Sequence, residues 1–232
     1  MKIVTLFTGK IEPLGPDKVT SGINKKETFT REKVLLNGFV NDEQADKKHH
    51  GGPDKAIHQY AFEHYAWWKE TLGTQKKPVY QAGAFGENIS SIGMDESTVC
   101  VGDKFRVGST ILEVSQARQP CWKLNIRFSY PDMSQMVQDN YRTGWYYRVL
   151  QEGAIQAGDH FVLLERPLAQ WPLRKLLDVL YRDVLNYALL EEITTLAPLA
   201  ERWKKTAQNR LQTGVVENWN KRLFNRKTQD HD

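Results

Sequence analysis

Only two of the 232 residues are cysteine, Cys100 and Cys121. Two thiols make no disulfide framework of the kind small secreted domains depend on. They also cannot ligate a four-cysteine iron–sulfur cluster. No C-x-x-C or H-x-x-x-H spacing accompanies the adjacent His49 and His50, so the sequence lacks the usual zinc signatures. Long apolar runs are missing as well, and none approaches the ~20 residues that cross a bilayer. The opening M-K-I-V-T-L-F-T-G-K is apolar for too short a stretch to act as a signal peptide, and no cleavage pattern follows. Blocks of like charge are absent, and the formal net charge is a mild +4. That balance fits an anionic small ligand or a weak nucleic-acid preference, and no charge block marks a nucleic-acid tail. These absences predict a cytoplasmic protein with reduced thiols, without a membrane or nucleic-acid partner.

What is present is a globular composition, 40% hydrophobic and 26% charged, able to bury a sizeable core. Up to Pro167 the chain carries short β-like runs punctuated by glycine: 2–7, 33–40, 97–101, 104–107, 109–114, 146–150 and 160–164. Such spacing predicts an antiparallel sandwich or barrel. One helix interrupts it, predicted over 53–72 because Ile57, Tyr60, Ala61, His64, Trp68 and Leu72 share a helical face behind Pro53. After Pro167 the pattern turns helical, with three helices expected between about 172 and 213 and a polar end. The charged residues of that tail, such as Lys204, Lys205, Arg210, Lys221 and Arg222, read as a solvated face with Trp203 and Trp219 as core anchors.

Three stretches carry chemistry-bearing residues. K-K-H-H-G-G-P-D-K-A (47–56) sets two glycines and several cationic or donor side chains ahead of the predicted helix. A helix start there would favour an anion, and a solvated glycine turn fits the pattern equally. G-A-F-G-E-N-I (83–89) flanks Phe85 with glycines that let backbone approach a ligand. Phe85 reads as a core plug, and Asn88 as either a turn residue or a donor and acceptor for a heterocycle edge. In R-Q-P-C-W-K-L (118–124), Pro120 restricts the backbone, so Cys121 leaves its strand on a shaped loop. Arg118 and Lys123 would lower the Cys121 pKa if they point the same way. Cys100, in T-V-C-V-G, alternates with valines and reads as an inert core thiol. The residues leave Cys121 open as a nucleophile with His49, His50 or His160 as base, as a ligand for a soft or high-valent metal, or as a loop thiol.

These stretches, with N-D-E-Q-A-D (41–46), V-G-D-K-F-R-V-G (101–108) and T-S-G-I-N-K (20–25), resemble the MOSC family, named for the C-terminal domain of molybdenum-cofactor sulfurase. The resemblance is to its YiiM-type branch and spans nearly the whole chain. It implies a mainly β fold, a MOSC β-barrel over 1–167 with its core at about 30–166 and an inserted helix. A three-helix module over 168–232 follows. It implies a molybdopterin-type molybdenum cofactor, with Cys121 as the catalytic residue and metal ligand. Soft thiolate ligation suits molybdenum beside dithiolene sulfurs. Lys25, His50, Gly51, Gly52, Asn88, Arg118 and Asn125 match positions expected to bind the cofactor; His49 does not. The family often has proline where this chain has Ala117. Arg142 and Arg148 match no fixed position.

The activity implied is reduction of N-hydroxylated compounds (hydroxylaminopurines, hydroxylamines or amidoximes) to amines, a detoxification. Electrons would come from a separate, flavin-dependent reductase. The alternative is a cofactor-binding or sulfur-carrier module without turnover. The chain has no room for the pyridoxal-phosphate desulfurase domain of the sulfurases, which argues against that cofactor.

Overall fold

The computed structural model describes residues 1–46, 51–73 and 80–226. Among the described residues, thirteen short strands are arranged around one large sheet with the order β13–β9–β10–β11–β7–β8–β1–β4. Those strands are β1 Lys2–Thr8, β4 Lys26–Thr28, β7 Ile57–Ala61, β8 Ile89–Ile92, β9 Lys104–Val107, β10 Thr110–Ala117, β11 Trp145–Gln151 and β13 Val162–Glu165. The sheet is curled and mixed, antiparallel except where β7 runs parallel to β8. Two small sheets complete the β part: β12 (Gly153–Ile155) with β5 (Glu32–Leu35) and β6 (Gly38–Phe39), and β2 (Glu12–Leu14) with β3 (Val19–Ser21).

Most of the expected strands form, and the departures have local causes. The predicted helix 53–72 is three elements: a single 3-10 turn at Pro53–Lys55, strand β7, and helix α1 at His64–Leu72. All five residues of β7 are buried, because β8 and β11 flank it and both its faces are covered. A strand buried on both faces loses its period of two, and Ile57, Tyr60 and Ala61 then imitate a helical stripe. The expected strand 97–101 is a turn. Asp95 Oδ1 accepts the N–H groups of Ser97 (2.9 Å) and Thr98 (3.1 Å), a local bond that competes with strand pairing. The run 33–40 breaks into β5 and β6 around Leu36 and Asn37, where Gly38 takes φ 111°.

The helical tail contains α4 (Leu173–Tyr181), α5 (Tyr187–Thr195) and α6 (Glu201–Thr213), near the expected positions, and then a short α7 (Asn220–Phe224). Two further helices, α2 (Lys123–Phe128) and α3 (Met133–Asn140), follow the cysteine loop; no element was expected there. The first core runs without a break from sheet residues such as Leu112, Val114 and Tyr147 to Leu173, Leu176, Leu190 and Trp203 of the tail. The Ala200 N–H donates to Ser115 O of β10 at 2.9 Å, so the module is bonded to the sheet as well as packed on it. A second core joins Tyr60, Tyr65 and Trp68 to Phe85, Leu124, Phe128, Met133 and Val137. It is this second core that positions the two loops of interest. Phe85 is fully buried and stacks on Tyr60 at 4.4 Å between ring centroids, the plug expected of it.

Candidate functional site

The cysteine loop and the 83–89 loop meet a third stretch, 21–25, and the chain at 42–46 around one cleft of about 650 Å³, measured to its open mouth. Lys25, Asp42, Lys55, His58, Asn88, Arg118, Cys121, Lys123 and Tyr146 all line it. Four predicted site residues are therefore brought together: Lys25, Asn88, Arg118 and Cys121. His50 lies outside the described residues. Gly51 and Gly52 are not part of the cleft wall. Gly52 is exposed at φ 92° and opens the 3-10 turn, so the expected helix start behind these glycines is a single turn without a macrodipole.

Asn125 is also elsewhere. Its Nδ2 donates to Leu223 O at 2.7 Å, and its Oδ1 accepts the Ser134 N–H at 2.7 Å. The amide thus joins α2 to α3 and to the C-terminal α7 rather than facing a ligand. Of the two arginines that match no fixed family position, Arg148 pairs with Asp54 and Glu113, and Arg142 lies over the Trp67 ring at 4.1 Å.

The 83–89 loop is shaped from within. Glu87, fully buried, accepts the Gly83 N–H at 2.7 Å, the Phe85 N–H at 3.2 Å and the Tyr65 hydroxyl. Burial pushes its carboxyl pKa up. Gly86 must be glycine: it sits at φ 74°, and a Cβ would come within 2.6 Å of Ile23 Cγ1. Arg127 ties the loop to α2 through the Ala84 carbonyl at 2.6 Å. Asn88 follows, with both ends of its amide used. Oδ1 accepts the His58 N–H at 3.1 Å, and Nδ2 donates to Phe7 O at 3.2 Å and to Asp42 Oδ2 at 2.9 Å. It orders the wall of the cleft instead of presenting a free edge to it.

Asp42 is the hub that sequence reasoning missed. It stood inside N-D-E-Q-A-D without periodicity or spacing to mark it. Its Oδ1 accepts the Gly9 N–H at 2.8 Å, and it pairs with Lys25, the two side chains being 3% and 7% exposed. Burial lowers the Lys25 pKa, and Asp42 opposes that shift. The pair is thus internally neutralised.

Arg118 differs. It is 6% exposed, no salt bridge reaches it among the described residues, and its buried Nη1 has no hydrogen-bond partner. Its backbone N–H anchors the loop to Gly144 O at 2.9 Å. His58, also missed, is 4% exposed beside it. Burial first, then the Arg118 charge, holds its imidazole well below the usual range, so it is neutral. Lys55 is brought down to about 8, by burial and then by Arg202. Lys123 donates its ammonium to Thr20 O at 2.8 Å across the mouth.

Cys121 is half-buried at this cationic wall and forms no disulfide. Cys100 is buried, its Sγ is 3.7 Å from Ala169 O, and burial pushes its thiol pKa up, as expected of a core thiol. Among the described residues no group of three or more His, Cys, Asp or Glu could hold a metal ion, and no helix is long and apolar enough to cross a membrane. The arrangement therefore sets one thiol, one buried guanidinium with an unpartnered Nη1 and two further lysines around a cleft suited to an anionic ligand.

Comparison with known proteins shows the family of the chain. Residues 46–162 match the MOSC domain, and residues 171–214 match the YiiM-like, 3-alpha helix domain. Protein YiiM of Escherichia coli is 34% identical over 221 residues, covering 95% of this chain and 97% of that protein. A protein from Gibberella moniliformis described as a reductase is 35% identical over 197 residues, covering 84% of this chain but 35% of that longer protein. The crystal structure of YiiM from Geobacillus stearothermophilus superposes with a TM-score of 0.77 at 33% identity, over 90% of this chain and 98% of that one. The chain belongs to the MOSC family and carries the YiiM-like three-helix domain.

Proposed function

We propose that the protein is a molybdenum-cofactor-dependent reductase of N-hydroxylated compounds, with Cys121 as the protein ligand to molybdenum. The carrying observation is the pairing, in one cleft of a MOSC chain, of a half-buried free thiol with a buried guanidinium whose Nη1 has no hydrogen-bond partner. Leaving a buried charged donor unmade costs free energy, and an anionic cofactor would recover it. A lone thiol cannot hold a metal by itself, so the remaining ligands would have to come from the cofactor, as a dithiolene pterin provides. The reductase description of the fungal relative supports the reaction class.

When bound, such a cofactor supplies the two-electron chemistry by which R–NHOH, two electrons and two protons become R–NH2 and water. The chain's own residues do the rest. Arg118 would hold the anionic cofactor, and Cys121 would be the protein ligand to its metal. The Lys25–Asp42 pair and Asn88 keep the wall in place. Lys55, with its pKa at about 8, is the wall group able to release a proton near neutrality. A separate electron donor, flavin-dependent by expectation, would complete the cycle.

The test is elemental and kinetic. Protein from a cofactor-competent host should contain near-stoichiometric molybdenum and reduce benzamidoxime or hydroxylaminopurine with an artificial donor. Cys100→Ser should keep both properties, and Cys121→Ser should lose them. Molybdenum without turnover would support the cofactor-binding or sulfur-carrier alternative, and no molybdenum at all would refute the cofactor assignment.

A further inference from the structure

The last helix touches the cysteine loop on both sides of the thiol. Arg222 donates Nη1 to Pro120 O at 2.7 Å, the carbonyl just before Cys121. The Trp122 N–H, just after Cys121, donates to Arg222 O at 2.8 Å. Arg222 Nη2 reaches Gln138 Oε1 of α3 at 2.5 Å, and its guanidinium lies over Tyr181 of α4 at 5.6 Å. One residue further on, the Leu223 carbonyl accepts Asn125 Nδ2 at 2.7 Å and Ser134 Oγ at 2.6 Å. The final carbonyls of a helix have no partner inside it. Here those of α7 take donors from the cysteine loop and from the two helices behind it. Leu223 itself is 1% exposed, so the seam is closed by packing as well.

We propose that Arg222 and the carbonyl end of α7 are positioning elements that hold the backbone of residues 120–122, and with it the Cys121 thiol, in the geometry the cleft requires. This α7 lies beyond the 171–214 span of the three-helix domain, so the tail has a second role at the cleft besides extending the core. Arg222 touches no reacting group; it acts through the loop. The inference rests on Cys121 being the working thiol of the proposed function, but its test needs no molybdenum, so the two can fail separately.

Hydrogen exchange and thiol alkylation on molybdenum-free protein decide it. Losing a hydrogen bond from a charged donor corresponds to about tenfold or more in a local opening equilibrium. In Arg222→Ala the Trp122 amide should therefore exchange about tenfold faster than in wild type, and iodoacetamide should label Cys121 faster, with Cys100 as the internal reference. Asn125→Ala opens the same seam while keeping Arg222, and should move both readings in the same direction. Lys221→Ala, on the same helix, should move neither. The proposal is overturned if both readings stay at wild-type values in Arg222→Ala and Asn125→Ala. It is equally overturned if amides of β10 and β11 speed up by the same factor as Trp122, because the change would then be general loosening rather than loss of loop positioning.

Discussion

Replacing Arg118 by methionine should make the protein more stable and less able to bind an anion. The guanidinium is 6% exposed, and its buried Nη1 has no partner among the described residues. An unsatisfied buried donor costs ~1–3 kcal/mol, more when charged. Methionine fills comparable space without a polar atom. Removing that penalty should stabilise the fold by about 1–3 kcal/mol. Unfolding entropy of about 2.1 cal/mol/K per residue, applied to 232 residues, converts each kcal/mol to about 2 °C. The expected rise in Tm is thus ~2–6 °C by calorimetry without ligand. The cost appears on binding. A single charge at ~4 Å and an effective dielectric of ~20 contributes about 4 kcal/mol. Affinity for a pyrophosphate probe, titrated calorimetrically at pH 7, should fall ~10²–10³-fold. A Tm that drops by several degrees would show that Arg118 is a structural cation with partners in the fold. Unchanged pyrophosphate affinity would remove it from the site. Either result refutes the reasoning.

Three further outcomes follow from the same wall. Asp42→Ala should destabilise by about 3–5 kcal/mol in urea unfolding, because it leaves Lys25 buried and unpaired; adding Lys25→Met should recover most of that loss, and a fully additive double variant would show that the pair is not coupled. Lys55 has a folded pKa of about 8 against an ordinary 10.5, so it attracts anions below about pH 8 and not above; sulfate, whose charge is constant there, should bind more weakly as pH passes 8, and Lys55→Gln should flatten the step. Over the same window the unfolded chain holds more protons than the folded one, so this group's contribution to stability rises with pH, measurable as a wild-type minus Lys55→Gln difference in urea midpoints between pH 7.5 and 9.5.

Much of the site was legible because its chemistry is local. Pro120 beside Cys121, with Arg118 two residues earlier, marks a shaped loop carrying a thiol before any fold is known. Phe85 between glycines likewise announces a buried ring on a tight loop, and Cys100 among valines announces a core thiol. Asp42 and His58 were not legible. Asp42 works only because Gly9 just past β1, Lys25 and Asn88 converge on it. His58 sits in a strand whose five residues are all buried, so alternation gave no face to assign. Asn125 went the other way: its match to the family pattern suggested a ligand contact, while its amide is committed to Leu223 and Ser134.

The sequence by itself determined the β-rich first part, the helical tail, the contrast between two thiols and the family. Those follow from hydrophobic period, turn residues and short motifs, which act over a few neighbouring residues. Tertiary structure decided that Ile57–Ala61 is a strand, that Arg118 is buried with its Nη1 unpartnered, and that α7 clamps the cysteine loop. Each depends on which groups from distant segments share a dry space. In such a space a charge must find a partner and a carbonyl a donor, whatever their separation along the chain.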